Sequence, residues 1–511
     1  MESFDLLLGG FAAALHPAVF LVLAFGLVTG TVAGALPGIS FVNAMAMALP
    51  FTYLMQPTAA MAFLGGIYVG GVFGGSISSI LINIPGTPAS LPACWDGHPM
   101  TRAGKPQMAL RIALTSSATG GLASALLLTF AAPPFARFAL TFDQPEFFAA
   151  TVLGLVSVIA IAKEQPILSL LSMFLGMLIG TVGVDPLYGM PRFGFGQPML
   201  QSGVNWIVVM IGLFAVAEVI DLICEERELR PKAAGGGSIS FRGLWGLKNS
   251  ILRGTGLGCM IGMIPGAGAT VGAVIAYGVE KQASGKGARF GTGVPEGLAA
   301  PEAAKNATTG AAMIPLLTLG IPGSAATAIM LGAMILHGIN PGPLLFTSDV
   351  STVYTIFAAM ILANLLMIVA ALAVAKGFST LMRVPPAVLG AFIIVLSVVG
   401  AYGVRNNIFD VYVCLFFGLV GWGMKRTGFP TAPLVLGVIL GPLAERYFLT
   451  SLVNYDNDYA IFFTRPISGT ILGLAVLFGL WSLWPAIQDL RHRRAGRTTP
   501  LDHTGRVPED G

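Results

Sequence analysis

The chain has 511 residues, 55% of them hydrophobic and only 10% charged, with 66 glycines, 33 prolines and a formal net charge of +4. Soluble domains carry roughly 25% charged residues, so this is no soluble chain, and no nucleic-acid partner is expected. Several uncharged runs of about 20 residues suffice to cross a hydrocarbon core of roughly 30 Å, and the abundant Gly and Pro suit membrane helices that pack closely and break. The expected fold class is an all-α polytopic membrane protein in the lipid bilayer. Cys94, Cys224, Cys259 and Cys414 stand apart and read as small apolar residues. No basic segment precedes the first apolar run, so no cleaved signal peptide is expected.

Residues 1–16 are short, amphipathic and acidic. Apolar arms 17–36 and 39–55 follow, hinged at Pro37-Gly38, where the stretch GTVAGALPG ends. Proline removes a backbone donor and glycine accepts unusual dihedrals, so the pair breaks a helix. A long run, 57–85, breaks in the same way at Pro85-Gly86 within ILINIPGTPAS. A loop with Asp96, Arg102 and Lys105 leads to crossings near 108–134, 146–163, 166–184 and 204–223. The polar segment 224–248 divides the chain. Arms 249–265 and 267–280 then hinge at Pro265-Gly266 in GCMIGMIPG, repeating the pattern GxxxGxxPG 228 positions later. A basic loop carries Lys281, Lys286, Arg289 and Lys305, and a run from about 306 to 338 breaks at Pro322-Gly323 in LGIPGSAAT. Further crossings fall near 353–376, 386–402, 408–424, 430–443 and 467–488, before a basic, then polar tail. The domains expected are a first transmembrane repeat 1–223, a cytoplasmic linker 224–248, a second repeat 249–443, a periplasmic loop and last transmembrane helix 444–490, and a cytoplasmic tail 491–511.

Lys and Arg concentrate in cytoplasmic loops. With linker and tail inside, the loop after Pro85 falls inside and is basic, whereas residues 339–352, after Pro322, fall outside and carry no Lys or Arg. The two halves thus carry the same breaks in opposite orientation. The arms around Pro37 and Pro265 are short enough for re-entrant hairpins, giving two inverted repeats of roughly 11 crossings plus two hairpins. The C-terminus is then cytoplasmic and the N-terminus periplasmic. Paired broken helices at matching places in two halves are the build of a carrier, with its site at the breaks.

The chemistry available at the breaks is uncharged. A substrate site is expected from Pro37, Gly38, Asn43, Asn83, Pro85, Gly86, Thr87, Pro265, Gly266, Gly268, Pro322, Gly323 and Ser324. Freed N–H groups and helix dipoles favour anions there, although Thr87, Ser90, Ser324 and Thr327 also read as ordinary N-caps. For a coupling ion the candidates are Ser76, Ser79, Asn83, Thr318 and Thr327, whose oxygens suit a hard cation; the competing reading is hydrogen bonding back to their own helices. Glu296 and Glu302 are placed in a Pro-bounded loop outside the apolar core, with capping of a helix starting near Asn306 weighed against a coupling role. Gly176 with Gly180, and Gly437 with Gly441, read as packing pairs. The five histidines form no metal spacing, and no catalytic triad, GxSxG, HExxH or Walker loop occurs. No enzymatic role, cofactor or metal is expected beyond a bound sodium ion.

GTVAGALPG followed by AMALPF, then GGSISSILINIPGTPAS, then PEGLAAPEAAKNA running into IPLLTLGIPGSAAT, resemble the signatures of the large membrane subunit of tripartite tricarboxylate transporters, the TctA family. The resemblance covers residues of about 20 to 490. It implies a bacterial inner-membrane permease that takes up carboxylates by sodium- or proton-driven symport, working with a small four-helix membrane subunit and a periplasmic substrate-binding protein. The alternative is a self-sufficient carrier or channel for organic anions without a binding protein. In that family the position of Lys305 is usually small or an amide. Lys305 either alters which anion is preferred or snorkels to the inner interface.

Overall fold

A computed structural model of the chain describes residues 2–36, 40–161, 166–185, 189–224, 244–264, 268–381 and 386–494. Pro37, Gly38, Pro265 and Gly266, most of the linker 224–248 and the tail beyond 494 lie outside the described residues.

The helices are α1 (Glu2–Ala14), α2 (Pro17–Ala35), α3 (Phe41–Thr52), α4 (Pro57–Ile82), α5 (Leu91–Arg102), α6 (Pro106–Ala139), α7 (Gln144–Ile161) and α8 (Pro166–Gly180). A two-residue antiparallel ribbon pairs Gly183–Val184 with Pro191–Arg192. Then come α9 (Trp206–Met210) and α10 (Ala217–Cys224), joined by a π-helical turn, Ile211–Val216. The second half holds α11 (Lys248–Met263), α12 (Gly268–Ala283), α13 (Pro295–Ala311), α14 (Met313–Leu319), α15 (Ala325–Leu336), α16 (Val350–Leu381), α17 (Pro386–Arg405), α18 (Ile408–Arg426), α19 (Thr431–Asn454) and α20 (Pro466–Arg494). Among the described residues six helices are long and apolar enough to cross a bilayer: α2, α4, α6, α16, α18 and α19. The chain is an all-α, multi-pass membrane protein.

Two elements have no outward face: α4, and α13 continued through Ala312 by α14. The apolar window of α4 is wholly buried, and so are residues 297–311 of α13 and 313–318 of α14. A helix enclosed on all sides belongs at the centre of a bundle. Between apolar helices in lipid there is little hydrophobic drive, and close approach through small residues supplies the attraction. On α2, Gly26, Gly30 and Gly34 abut the backbone of Phe63, Ile67 and Gly71 on α4. On α11, Gly254, Gly258 and Gly262 abut Ala300, Ala304 and Thr308 on α13 in the same way. Each second-half partner lies 237 positions after its first-half counterpart (63 and 300, 67 and 304, 71 and 308). The same interval separates the residues that end the two buried helices, Asn83 (φ 59°) and Gly320 (φ 71°), both left-handed C-caps. Isoleucine, Pro-Gly and a hydroxyl residue follow each. Both halves therefore build one unit: a glycine-faced helix on a buried helix that ends in a left-handed turn and a break.

The two buried helices run antiparallel. Ser76, late in α4, meets Glu302 and Lys305, early in α13. Tyr68, two turns earlier in α4, faces Ser324, just beyond α14. Gly176 on α8 and Gly437 on α19 also pack helix to helix, each against the other's backbone, as their spacing suggested.

Two boundaries correct the sequence reading. The helix expected from about 306 begins at Pro295, so Glu296, Glu302 and Lys305 lie on a helix and not in a basic loop. Charges ended the apolar run in the sequence, but in the fold Glu302 and Lys305 neutralise each other. Lys305 does not snorkel outward; its side chain is wholly buried. The crossing expected to stop at 443 runs on to Asn454, with Glu445 held by Arg192 at 3.2 Å.

The glycine ladder yields a prediction. Gly258→Val should lower stability by about 1–3 kcal/mol through overpacking, because the new side chain runs into the Ala304 carbonyl. Gly256→Ala, two residues away, meets nothing within 4 Å and should be neutral or mildly stabilising. Thermal melting of the detergent-solubilised variants checks this; equal melting points for Gly258→Val and wild type would remove the ladder as a stabilising contact.

Candidate functional site

At the end of α4 the chain doubles back. Asn83 turns it, and the Gly86 N–H donates to the Gly75 carbonyl at 3.3 Å. Ser78 and Ser79 donate to that same carbonyl at 3.2 and 2.8 Å. A side chain on Gly86 would strike the Gly34 carbonyl of α2, so glycine is required by close approach. Thr87 thereby lies level with Gly75 and starts a 3₁₀ turn, Pro88–Ser90, that leads into α5. The Thr87 N–H donates to Ser90 Oγ at 3.2 Å.

The second break repeats this. The Gly320 N–H donates to the Leu316 carbonyl at 3.0 Å, and Ser324 starts α15. Its N–H donates to Thr327 Oγ1 at 2.8 Å, and the Thr327 N–H donates back to Ser324 Oγ at 3.2 Å. Gly75 and Tyr68 are seven residues apart on α4, so the two helix starts lie roughly 10 Å apart along its axis.

From these inner starts the helices leave in opposite directions. α5 reaches a cavity of about 630 Å³ lined by Asn83, Pro85, Cys94, His98, Arg102 and Gly291. α15 ends at His337, on a cavity of about 510 Å³ lined also by Gln56, Asn340, Asp349 and Thr352. The first cavity adjoins the C-terminal end of α4 and the second its N-terminal end. The halves interlock here: α3 packs on α15, and α12 packs on the Pro88–Ser90 turn. Gly268 (φ 59°), at the start of α12, sits beside Ser324.

A charged pair lies between α4, α6 and α13. Lys305 Nζ is 2.9 Å from Glu302 Oε1, with side-chain exposures of 0% and 1%. Ser76 Oγ donates to Glu302 Oε1 at 2.6 Å and accepts from Lys305. Ser117 Oγ of α6 donates to Glu302 Oε2 at 2.9 Å. Asn306 donates to the Ser117 carbonyl at 3.2 Å, while its Oδ1 has no hydrogen-bond partner among the described residues. A buried carboxylate and ammonium are tolerable only when paired and hydrogen-bonded in this way.

A second buried carboxylate holds the start of α13. Asp96 Oδ1 accepts the N–H groups of Gly291, Gly293 and Val294 at 3.0, 2.9 and 2.8 Å. Tyr277 donates its hydroxyl to Oδ2 at 3.0 Å. Negative charge at a helix N-terminus is stabilising, so the first half caps the signature helix of the second.

The expected substrate residues are not all brought together. Asn83 and Pro85 line the cavity at the end of α4, and Asn43 is buried on α3. Gly86, Thr87, Pro322 and Gly323 are buried at the two breaks, with Ser324 and Gly268 half-buried beside them. Among the coupling-ion candidates, Ser76 joins the charged pair. Ser79 and Thr318 donate to carbonyls of their own helices at 2.8 and 2.7 Å, Thr327 completes a cap, and Asn83 is exposed. Glu302 caps no helix near Asn306. Sequence reasoning missed the convergence of Glu302, Lys305, Ser117 and Asn306 with Ser76, and the placement of Tyr68 against Ser324; for the charged pair, the opposite charges three apart in PEGLAAPEAAKNA were the available signal.

A multi-pass helical bundle centred on two broken, antiparallel helices is built as a membrane transport protein. The chain belongs to the tripartite tricarboxylate transporter TctA family, whose model its residues 20–436 match. It is similar, at 37% identity over 486 residues (95% of this chain and 97% of the relative), to a protein of Agrobacterium vitis described as an uncharacterized 52.8 kDa protein in the TAR-I ttuC' 3' region. It is also 37% identical over 234 residues, 46% of this chain and 97% of the relative, to an uncharacterized protein in the TAR-II ttuC' 3' region of Agrobacterium vitis. No solved structure matches.

The charged pair makes a second prediction. Glu302→Gln leaves the Lys305 ammonium buried and unpaired and should destabilise by about 3–5 kcal/mol. Removing both charges, in Glu302→Gln with Lys305→Met, should recover most of that loss. A double-mutant cycle on melting temperatures measures the coupling; additive losses would show that the two charges do not interact.

Proposed function

We propose that this chain is the permease subunit of a binding-protein-dependent secondary transporter that imports organic carboxylates, of tricarboxylate or dicarboxylate type, driven by a sodium or proton gradient across the bacterial inner membrane. A small four-helix membrane subunit and a periplasmic binding protein are its partners. The observation that carries this reading is the pair of capped helix starts, Thr87–Ser90 and Ser324–Thr327, set about 10 Å apart deep in a chain of the TctA family. Helix starts present free N–H groups and the positive ends of their dipoles, which suit carboxylate oxygens. Pro37-Gly38 and Pro265-Gly266, which lie outside the described residues, are assigned to the same pocket on their sequence pattern. Gly34, which abuts Gly86, and Gly268, beside Ser324, bring the chain to it from both halves.

We read the two halves as inverted repeats. The antiparallel course of α4 and α13, the constant interval of 237 between matching contacts and the two cavities at opposite ends of α4 support this. Alternating access then exposes the breaks to one cavity and the other in turn. Cysteine labelling in intact cells tests the topology: Ala103→Cys should react from the cytoplasm and Thr347→Cys from the periplasm. Reaction of both from one side would sink the inverted arrangement.

Uptake tests the function. Proteoliposomes holding this chain and its small subunit should accumulate radiolabelled citrate, used as a tricarboxylate probe, only with the binding protein and an imposed sodium or proton gradient. Thr87→Val with Ser324→Ala should weaken apparent citrate affinity about tenfold, the scale of one or two lost hydrogen bonds. Full uptake without a binding protein would favour the self-sufficient carrier. Unchanged affinity in the double variant would move the site away from the breaks.

A further inference from the structure

We propose that the Lys305 ammonium fills a cation site built by Ser76 and Glu302, so that this chain carries a tethered cation where the same oxygens would otherwise hold a sodium ion. Its bearing on ion coupling rests on the carrier reading above, whereas the site itself rests on the geometry of α4, α6 and α13.

Two hard oxygens from different helices converge on one positive atom. Glu302 Oε1 lies 2.9 Å from Lys305 Nζ, and Ser76 Oγ of α4 accepts from the same nitrogen. Carboxylate and hydroxyl oxygens are the donor types that small hard cations take. The other carboxylate oxygen is held by Ser117 of α6 at 2.9 Å, which fixes the orientation of Glu302. The Phe73 ring centroid lies 6.0 Å from Nζ, within cation–π range. One residue further along the same helix a buried oxygen, Asn306 Oδ1, has no hydrogen-bond partner among the described residues.

Lys305 cross-links nothing through Glu302, because both stand on α13, three residues apart. What the ammonium supplies is neutralisation of a carboxylate that joins α4 and α6 to α13. A free ion could do the same, but it would exchange with solution. A side chain cannot leave, so the junction keeps its charge balance whatever the sodium concentration. With the ammonium removed, Glu302 and Ser76 remain as an oxygen pair facing the vacated space, and a sodium ion is the partner that neutralises it.

The test uses the full-length protein in detergent at about pH 8, with about 100 mM sodium chloride or choline chloride as the probe salts. Wild type should shift less between the two salts than either single variant, and a small shift would report a sodium site elsewhere. Lys305→Ala and Lys305→Asn should melt lower in choline and rise by about 3 °C or more in sodium. Lys305→Ala combined with Glu302→Gln should shift no more than wild type. Recovery of the single variants only when purified in sodium counts as the same result. The proposal is overturned by a wild-type shift as large as that of the single variants, by loss of both single variants in both salts, by single variants equally stable in the two salts, or by a double variant that shifts as much as the single ones. Melting needs no substrate, so a failed citrate-uptake experiment and a failed sodium experiment are distinguishable.

Discussion

Lipid offers no hydrogen-bond partner to a broken helix, and that single constraint organises this molecule. Each Pro-Gly break frees backbone groups that must be met inside the protein. At Gly86 the Gly75 carbonyl meets them, at Thr87 the Ser90 hydroxyl, and at Ser324 the Thr327 hydroxyl. Because such breaks survive only where protein surrounds them, α4, and α13 with α14, are enclosed on all sides. The glycine-faced helices α2 and α11 provide that enclosure, since only small residues let a neighbour close enough to exclude lipid.

The same enclosure makes a buried charge affordable. Glu302 and Lys305 lie where water and lipid are both excluded, and their cost is offset by mutual attraction and by the hydroxyls of Ser76 and Ser117. The pair sits one residue along α4 from Gly75, on which the first break folds back. Any motion of that break relative to α13 therefore changes the surroundings of a charge. Asp96 works in the same direction, tying α5, which follows the first break, to the loop that opens α13.

Much of the fold was legible in the sequence. Uncharged runs marked most helices, and the duplicated GxxxGxxPG motifs marked the helices that pack on the buried pair. The serines and threonines after each Pro-Gly are the caps that their residue types allow. The start of α13 was not legible, because charge is the usual sign that a membrane segment has ended, and here the charges are interior. Of the residues expected to hold substrate or ion, Asn83, Thr87, Thr318 and Ser324 are distributed among a cavity wall, two helix starts and a bond back to the helix that carries it.

The sequence by itself determined class, helices, breaks and family, since these depend on local composition, on the limited conformations of proline and glycine and on motif order. Only the tertiary structure decided that α4 and α13 lie antiparallel, that Ser76 and Ser117 meet Glu302, and that Lys305 points inward. Those facts depend on which helices touch, and a lysine three residues from a glutamate has the same local sequence whether it reaches water or an interior carboxylate.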